Sequence, residues 1–210
     1  MKSPRKLLVV VDFDGTIIAE NSTRVFEKCL VSKLDSRLLK HLLLALLFTK
    51  LAALTDRFFR ILDKLLDVSD SRRLLVIPVT AGFLNSRSIE ECVKQASRSL
   101  TFNSNLLRVL EALKVNLSDV VVLSNGFKQI IESFAEYREL HFKAIIASEL
   151  SSQGYYVARE VRIPVKKIVL EKLSERNTVV YVTDALGEYL EFKKLEKLKD
   201  IKVLLVATSH

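Results

Sequence analysis

The sequence predicts an α/β protein in which a long helical segment interrupts the chain after the first strand. Residues 7–11 are five consecutive apolar residues, which is typical of a strand buried on both faces. The next part of the chain is rich in Leu, Lys and Arg with apolar residues at helical spacing, and thereafter helix and strand patterns alternate. We therefore predict a Rossmann-like parallel sheet flanked by helices from residues 1–19 and 102–210, with an all-helical insert at residues 20–101.

Composition places the chain among ordinary soluble globular proteins, because 49% of its 210 residues are hydrophobic and 28% are charged. The net charge of +8 favours anionic partners such as phosphate esters, although a basic surface without a partner has the same charge. Since the basic residues are spread along the chain without interleaved aromatic residues, we do not expect nucleic-acid binding. Nothing in the pattern predicts an oligomeric state.

Cys29 and Cys92 lack the spacing of a zinc site or a disulfide framework, so we expect reduced, buried thiols in a cytoplasmic protein. Acidic residues break the N-terminal apolar run, which does not fit a signal peptide. The most apolar segment, residues 42–48, is much shorter than the roughly 20 apolar residues that cross a bilayer. We therefore expect no association with a membrane.

The first strand leads directly into Asp-Phe-Asp-Gly-Thr at residues 12–16. Carboxylates two residues apart at the end of a buried strand raise each other's pKa and lose hydration. Asp12 and Asp14 therefore require compensation, for which a bound cation is the simplest candidate.

Helices are predicted in the insert from two apolar runs at helical spacing. The first comprises Val25, Phe26, Leu30, Leu34, Leu38, Leu42 and Leu46, and the second Leu54, Phe58, Ile61, Leu62, Leu65 and Leu66. Ser88 and Glu91 form an S-x-x-E capping box, which predicts a further helix starting near Ile89. Residues 74–79 fit either a strand or a helix end, since Pro78 argues against a long helix.

The alternating part of the chain predicts the remaining elements. In order, these are a helix at 106–113, a strand at 120–123, a helix with Phe127, Ile130, Ile131 and Phe134 on one face, a strand at 142–147, a hairpin at 149–157, a helix after Pro164, a strand at 179–182, a helix at 190–198 and a strand at 201–206. Ligands bind at the carboxyl ends of parallel strands, where Asp12, Ser124 and Asp184 are expected to meet.

Four motifs of the chain resemble the haloacid dehalogenase superfamily of phosphohydrolases and occur in that family's order. They are DFDGT at residues 12–16, a strand ending in Ser124-Asn125-Gly126, Lys166 on a helix, and a strand ending in Asp184. The helical insert between the first two motifs resembles the cap of the phosphoserine phosphatase-like branch. So do SNGF at residues 124–127, KKIVLEKL at residues 166–173 and EFKK at residues 191–194.

The resemblance implies a magnesium-dependent phosphatase that acts on a small phosphorylated metabolite. Asp12 would be the nucleophile that forms an aspartyl-phosphate, and Asp14 the general acid and base. The residues implied in phosphate binding are Thr16, Ser124, Asn125, Gly126 and Lys166. Those implied in Mg²⁺ binding are Asp12, Asp14, Asp184 and Glu188.

The fourth motif departs from the family pattern, which usually has Gly before the first acid and Asp as the second. This chain has Thr183 before Asp184, and Glu188 is one methylene longer than Asp. Glu188 could therefore reach the metal directly or shift a bridging water. The motif lysine is also open, because Lys167 adjoins Lys166.

Substrate recognition is expected from the insert and from the loop after the first motif. Candidate residues are Glu20 and Asn21 in the loop, and Arg57 and Arg60 in the insert. Two other functions fit the same motifs. One is a phosphotransferase of the superfamily, and the other is a catalytically weak protein that binds phosphate or a partner.

Overall fold

A computed structural model describes residues 5–35, 37, 40–41, 77, 80–81, 83–153, 156–162, 165–197 and 199–207. The second predicted apolar run, most of residues 74–79, and the two candidate arginines Arg57 and Arg60 lie outside the described residues.

The chain divides into two compact units. The first comprises Met1–Ser22, Ser97–Ser148 and Pro164–His210, and the second comprises Thr23–Ala96 and Glu149–Ile163. The second unit thus includes the hairpin segment as well as most of the predicted insert. Its interpretation as a cap, with the boundaries given above, stays a prediction.

The strands are β1 (Lys6–Val11), β2 (Val121–Phe127), β3 (Ala144–Gln153), β4 (Tyr156–Arg162), β5 (Asn177–Thr183) and β6 (Ile201–Leu205). Five of them pair in parallel in the order β3-β2-β1-β5-β6, which confirms the predicted α/β class. The end of β3 pairs antiparallel with β4 in the second unit, which confirms the hairpin predicted at residues 149–157.

The central strand β1 is the apolar run identified in the sequence, and its last residues, Val9, Val10 and Val11, are buried. Val11 lies opposite Val182 of β5 and Val122 of β2. Because the three strands are in register and parallel, their carboxyl ends lie at the same edge of the sheet. The candidate site is built at this edge.

The helices are α1 (Ser22–Ser32), α2 (Ser86–Ser99), α3 (Ser104–Leu113), α4 (Lys128–Tyr137), α5 (Lys166–Ser174) and α6 (Leu186–Lys193). Leu170 of α5 and Phe192 of α6 are buried in one hydrophobic cluster with Leu8 of β1 and Tyr181 of β5. The clustering of these side chains fixes α5 and α6 on the sheet, and therefore fixes the residues at their N-termini.

Several helix boundaries differ from the predicted ones. The helix predicted at residues 190–198 is α6, which begins at Leu186 and ends at Lys193, and α3 begins at Ser104, two residues before the predicted start. The helix α1 ends at Ser32, before the predicted run reaches Leu34. The helix α2 begins at Ser86, because the side chain of Asn85 accepts the N–H of Ser88 at 2.8 Å. The predicted capping box is wrong, since its Ser88 lies inside the helix.

The expectation of reduced thiols is also wrong, because Cys29 of α1 and Cys92 of α2 form a disulfide within the second unit. The two helices bring the Cα atoms of these cysteines to 5.5 Å, although they are 63 residues apart in sequence. The cytoplasmic location was inferred partly from reduced thiols and loses that support. Of the helices that the structure describes, none is both long and apolar enough to cross a membrane.

Candidate active site

Asp12 is the first residue after β1 and is buried, with 6% of its surface exposed. Its backbone N–H continues the sheet by donating to Val182 O at 2.9 Å. Its carboxylate accepts the N–H of Phe13 at 2.8 Å through Oδ1 and lies 2.9 Å from Lys166 Nζ through Oδ2. A buried carboxylate is therefore held at the edge of the sheet by one backbone donor and one cation.

Lys166 is the first residue of α5 and is itself 7% exposed. Its ammonium group contacts Asp12, Glu188 Oε1 at 2.8 Å, and the hydroxyl of Tyr181 at 3.2 Å. Lys167 points to the exposed side of the helix. Of the two lysines left open by the sequence, Lys166 is the one placed beside Asp12.

Burial raises the pKa of Asp12 from 3.8 to about 7; Lys166 opposes this shift, while the charges of Glu188 and Asp14 add to it. Burial by itself would lower the pKa of Lys166, but the charges of Asp12 and Glu188 outweigh it and raise that pKa above 10.5. The lysine therefore stays charged, and Asp12 is the group whose charge depends on pH and on added cations.

The loop after Asp12 turns at Gly15, whose φ of +77° is favourable for glycine alone. Asp14 lies in this loop, and its Oδ1 accepts the N–H of Ser22 at 2.9 Å. Ser22 is fully buried, and its hydroxyl has no hydrogen-bond partner among the described residues. The hydroxyl of Thr23 is also buried without a partner in the described part of the chain, so it is the position of Ser22 beside Asp14 that makes its hydroxyl a candidate ligand for a bound group.

Gly126 borders three side-chain oxygens. A Cβ at this position would lie 3.1 Å from Ser124 Oγ, 3.1 Å from Ser22 Oγ and 3.5 Å from Asp14 Oδ2. We refer to Gly126 with these three oxygens as the Gly126 cradle. Its lack of a side chain leaves the hydroxyls and the Asp14 carboxylate facing one common space.

Ser124, Asn125 and Gly126 belong to β2 itself, whereas the strand was predicted to end at residue 123. The pairing of β2 with β3 shifts register between Leu123 and Phe127, so this segment is a bulge in the strand. Ser124 Oγ accepts the N–H of Gly126 at 2.9 Å, and the carbonyl of Asn125 accepts the hydroxyl of Ser148 at 2.8 Å. The Gly126 N–H, which was predicted to bind phosphate, is thus hydrogen-bonded to Ser124 Oγ. Because Ser124 Oγ accepts in this bond, its own hydroxyl proton can be donated to another acceptor.

Asp184 follows β5 and packs on the loop after β1. Its carboxylate lies directly against Gly15, where no side chain could fit. The hydroxyl of Thr16 donates to Asp184 Oδ1 at 2.9 Å and accepts the Asp184 N–H at 2.9 Å. The hydroxyl proton of Thr16 is therefore donated to Asp184. Thr16, which was predicted to bind phosphate, instead holds the Asp184 carboxylate in place.

The four acids predicted as metal ligands do not form one cluster. Within the described residues, no group of three His, Cys, Asp or Glu side chains is arranged to hold a metal ion. Glu188 points to Lys166 and also accepts the hydroxyls of Tyr181 at 2.8 Å and Thr183 at 3.1 Å through Oε2. Mg²⁺ binds one or two carboxylates and keeps several waters, so its binding by Asp12, Asp184 and the Asp14 backbone carbonyl stays a prediction from the chemistry of these groups.

The predicted substrate residues of the loop have other contacts or are exposed. The carboxylate of Glu20 accepts the N–H of Thr101 at 2.9 Å, and Asn21 is exposed. Sequence reasoning missed Tyr181 and did not count Ser22 among the candidate site residues. In the hydrophobic pattern of its strand, Tyr181 cannot be told from an apolar residue. The only sequence signal for Ser22 is its place in the chain, two residues after the candidate residue Glu20.

A parallel sheet with Asp12 and Asp184 directly after two of its strands is the arrangement that the four motifs predict. The profile of the haloacid dehalogenase-like hydrolase family matches residues 9–187, and the chain belongs to this family. The family predicted from the four motifs is therefore confirmed.

Solved structures show the same fold at low sequence identity. A phosphoserine phosphatase in its apo form is 18% identical with a TM-score of 0.54, and the match covers 95% of this chain and 94% of that one. A phospho-aspartyl intermediate analogue of phosphoserine phosphatase is 16% identical with a TM-score of 0.54, covering 97% and 96%.

A HAD family hydrolase from Salmonella enterica subsp. enterica serovar Typhi is 14% identical with a TM-score of 0.51. That match covers 90% of this chain but only 60% of the Salmonella protein. Among curated protein sequences, none is significantly similar to the chain.

Proposed function

We propose that the chain is a magnesium-dependent phosphatase that hydrolyses a small organic phosphate monoester through an aspartyl-phosphate on Asp12. The observation that carries the proposal is the buried Asp12 carboxylate paired with Lys166 at 2.9 Å, at the edge of the sheet that also carries the Gly126 cradle. Membership of a hydrolase family and the fold of the phosphoserine phosphatases support it.

In the first step, a carboxylate oxygen of Asp12 attacks phosphorus, and the bond from phosphorus to the leaving oxygen breaks. Asp14 gives its proton to that leaving oxygen, which departs as an alcohol. Asp14 suits this task because the N–H of Ser22 holds its Oδ1, while its Oδ2 is one of the three oxygens of the Gly126 cradle.

In the second step, water attacks the phosphorus of the aspartyl-phosphate and gives a proton to Asp14. The bond from phosphorus to Asp12 breaks, which regenerates both carboxyl groups and releases inorganic phosphate. Asp14 thus acts as acid and then as base, and each step needs only one proton transfer.

The transferred phosphoryl group carries negative charge that the site must stabilise. Lys166 supplies a permanent positive charge beside the attacking oxygen. The hydroxyls of Ser22 and Ser124 offer neutral donors in the Gly126 cradle. Asp12, Asp184 and the Asp14 carbonyl would hold Mg²⁺, which supplies further charge neutralisation when it is bound.

We infer a small phosphorylated metabolite as the substrate, in keeping with the net charge of +8 and with the phosphoserine phosphatases that share the fold. Phosphoserine is the first compound to screen, together with other phosphorylated metabolites. The residues that select among them are expected in the second unit.

The test is hydrolysis of p-nitrophenyl phosphate with Mg²⁺ by the wild type, by Asp12→Asn and by the control Asp119→Asn, whose acid is exposed on the surface. We expect turnover by the wild type and the control and none by Asp12→Asn. A wild type without turnover would support the catalytically weak alternative. Product esters formed with added alcohols would support the phosphotransferase.

A further inference from the structure

We propose that Tyr181 is a positioning residue that, together with Glu188, holds the ammonium group of Lys166 against Asp12. The inference rests on the proposed function, because it concerns the lysine beside the nucleophile of that reaction. It assigns a purpose to a core tyrosine and to the two positions, 183 and 188, at which the chain departs from its family.

The hydroxyl of Tyr181 bridges the lysine and the glutamate. It donates to Glu188 Oε2 at 2.8 Å and accepts from Lys166 Nζ at 3.2 Å. An ammonium group can only donate and a carboxylate can only accept, so the direction of both bonds is fixed. A hydroxyl both donates and accepts, so the phenol of Tyr181 satisfies both neighbours at once.

Glu188 is fixed through both of its oxygens although its side chain is 25% exposed. Its Oε1 accepts from Lys166 at 2.8 Å, and its Oε2 accepts from Thr183 Oγ1 at 3.1 Å as well as from Tyr181. The hydroxyl of Thr183 accepts the N–H of Ala185 at 3.2 Å, so its single proton is directed to Glu188. Thr183 in place of the usual Gly therefore supplies a donor, and the longer Glu188 supplies the reach.

Packing alone does not require the hydroxyl of Tyr181. The side chain is fully buried, and its ring meets the ring of Phe192 edge to face at 5.4 Å between centroids. A phenylalanine would fill the same space without the cost of burying a polar group. The hydroxyl is therefore the part of this residue that serves the charged cluster.

The consequence concerns where the charge of Lys166 lies during the reaction. Its three contacts, to Asp12, Glu188 and Tyr181, use the three protons of the ammonium group. Electrostatic stabilisation of a transition state requires that the charge be in place beforehand. Loss of the Tyr181 hydroxyl frees the glutamate and the lysine to move, which affects the chemical step more than substrate binding.

The test compares Tyr181→Phe with the wild type and with the control Tyr137→Phe, whose side chain is about half exposed. With p-nitrophenyl phosphate, we expect kcat to fall at least about tenfold in Tyr181→Phe with KM changed less than about twofold. All values measured for the control should equal those of the wild type. Thr183→Val removes the second donor to Glu188 and should lower kcat in the same way, which provides a second variant if Tyr181→Phe does not fold.

A double-mutant cycle separates positioning from a general structural effect. In the Glu188→Ala background, Tyr181→Phe should lower kcat by a smaller factor than in the wild type, because only the bond of its hydroxyl to Lys166 is left to lose. Equal losses in both backgrounds would overturn the proposal, and so would an unchanged kcat in Tyr181→Phe.

The failure of the proposed function is a different result, namely a wild type that shows no turnover. In that case the binding of orthovanadate to the same variants, measured by calorimetry, decides the inference. An affinity at least about tenfold weaker in Tyr181→Phe, with a smaller loss in the Glu188→Ala background, supports it. An equal affinity in wild type and Tyr181→Phe overturns it.

Discussion

Lowering the pH should weaken the binding of Mg²⁺ by protonating Asp12. Burial and the neighbouring acids raise the pKa of Asp12 to about 7, and the metal ion binds the ionised form. With this pKa, roughly nine tenths of Asp12 is ionised at about pH 8 and roughly one tenth at about pH 6. The apparent affinity for Mg²⁺ should therefore fall about tenfold between these two values.

Calorimetric titration of the protein with Mg²⁺ at about pH 8, 7 and 6 measures this change. At the lowest pH, each bound ion should displace close to one proton, which is detected by repeating the titration in buffers with different ionisation enthalpies. The variant Asp12→Asn should lose the pH dependence, while Asp119→Asn should retain it. Equal affinities at about pH 6 and 8 in the wild type would refute the reasoning.

The raised pKa of Asp12 also predicts how the stability of the folded protein changes with pH. The pKa of Asp12 is 3.8 without burial and about 7 in the folded protein, so folding favours its protonated form. This contribution is fully present below the unfolded value and is lost as the pH rises through about 7. Without Mg²⁺, the wild type should therefore unfold more easily at about pH 8 than at about pH 5, relative to Asp12→Asn.

Three further predictions follow from the contacts. Asp14→Asn should slow the hydrolysis of alkyl phosphates about 100-fold more than that of p-nitrophenyl phosphate, because only the poorer leaving group needs a proton; equal losses would exclude the acid role. Ser22→Ala should raise KM about tenfold by removing a buried donor, whereas Thr23→Val, with a neighbouring buried hydroxyl, should leave KM unchanged; the same KM for Ser22→Ala and wild type would place Ser22 outside the site. Reduction of the Cys29–Cys92 disulfide, which links residues 63 apart, should lower the free energy of unfolding by about 4 kcal/mol in denaturant titrations, and an unchanged midpoint would show that the bond is absent or without effect.

The fold and the central acids could be predicted because their signals are local. Five apolar residues define β1, and the polar residues that follow Val11 and Thr183 must meet at one edge of a parallel sheet. The helix-borne Lys166 was predicted from its motif, but its choice over Lys167 required the structure. Which face of α5 points to the sheet depends on packing against residues far away in sequence.

The partners of Glu188 could not be predicted for a related reason. Tyr181 occupies a buried strand position in which an apolar residue would satisfy the pattern equally well, so nothing local indicates that its hydroxyl reaches an ion pair. The disulfide was missed because Cys29 and Cys92 meet only through the pairing of α1 with α2. Contacts of this kind depend on tertiary packing, which hydrophobic periodicity does not encode.

Identification of the phosphorylated residue tests the central proposal most directly. The variant Asp14→Asn, incubated with p-nitrophenyl phosphate and Mg²⁺ and quenched in acid, should accumulate the covalent intermediate because water lacks its general base. Mass spectrometry should find one phosphoryl group on the peptide that contains Asp12, and none in the double variant with Asp12→Asn. A phosphoryl group on another residue, or turnover without any labelled protein, would contradict the proposed mechanism.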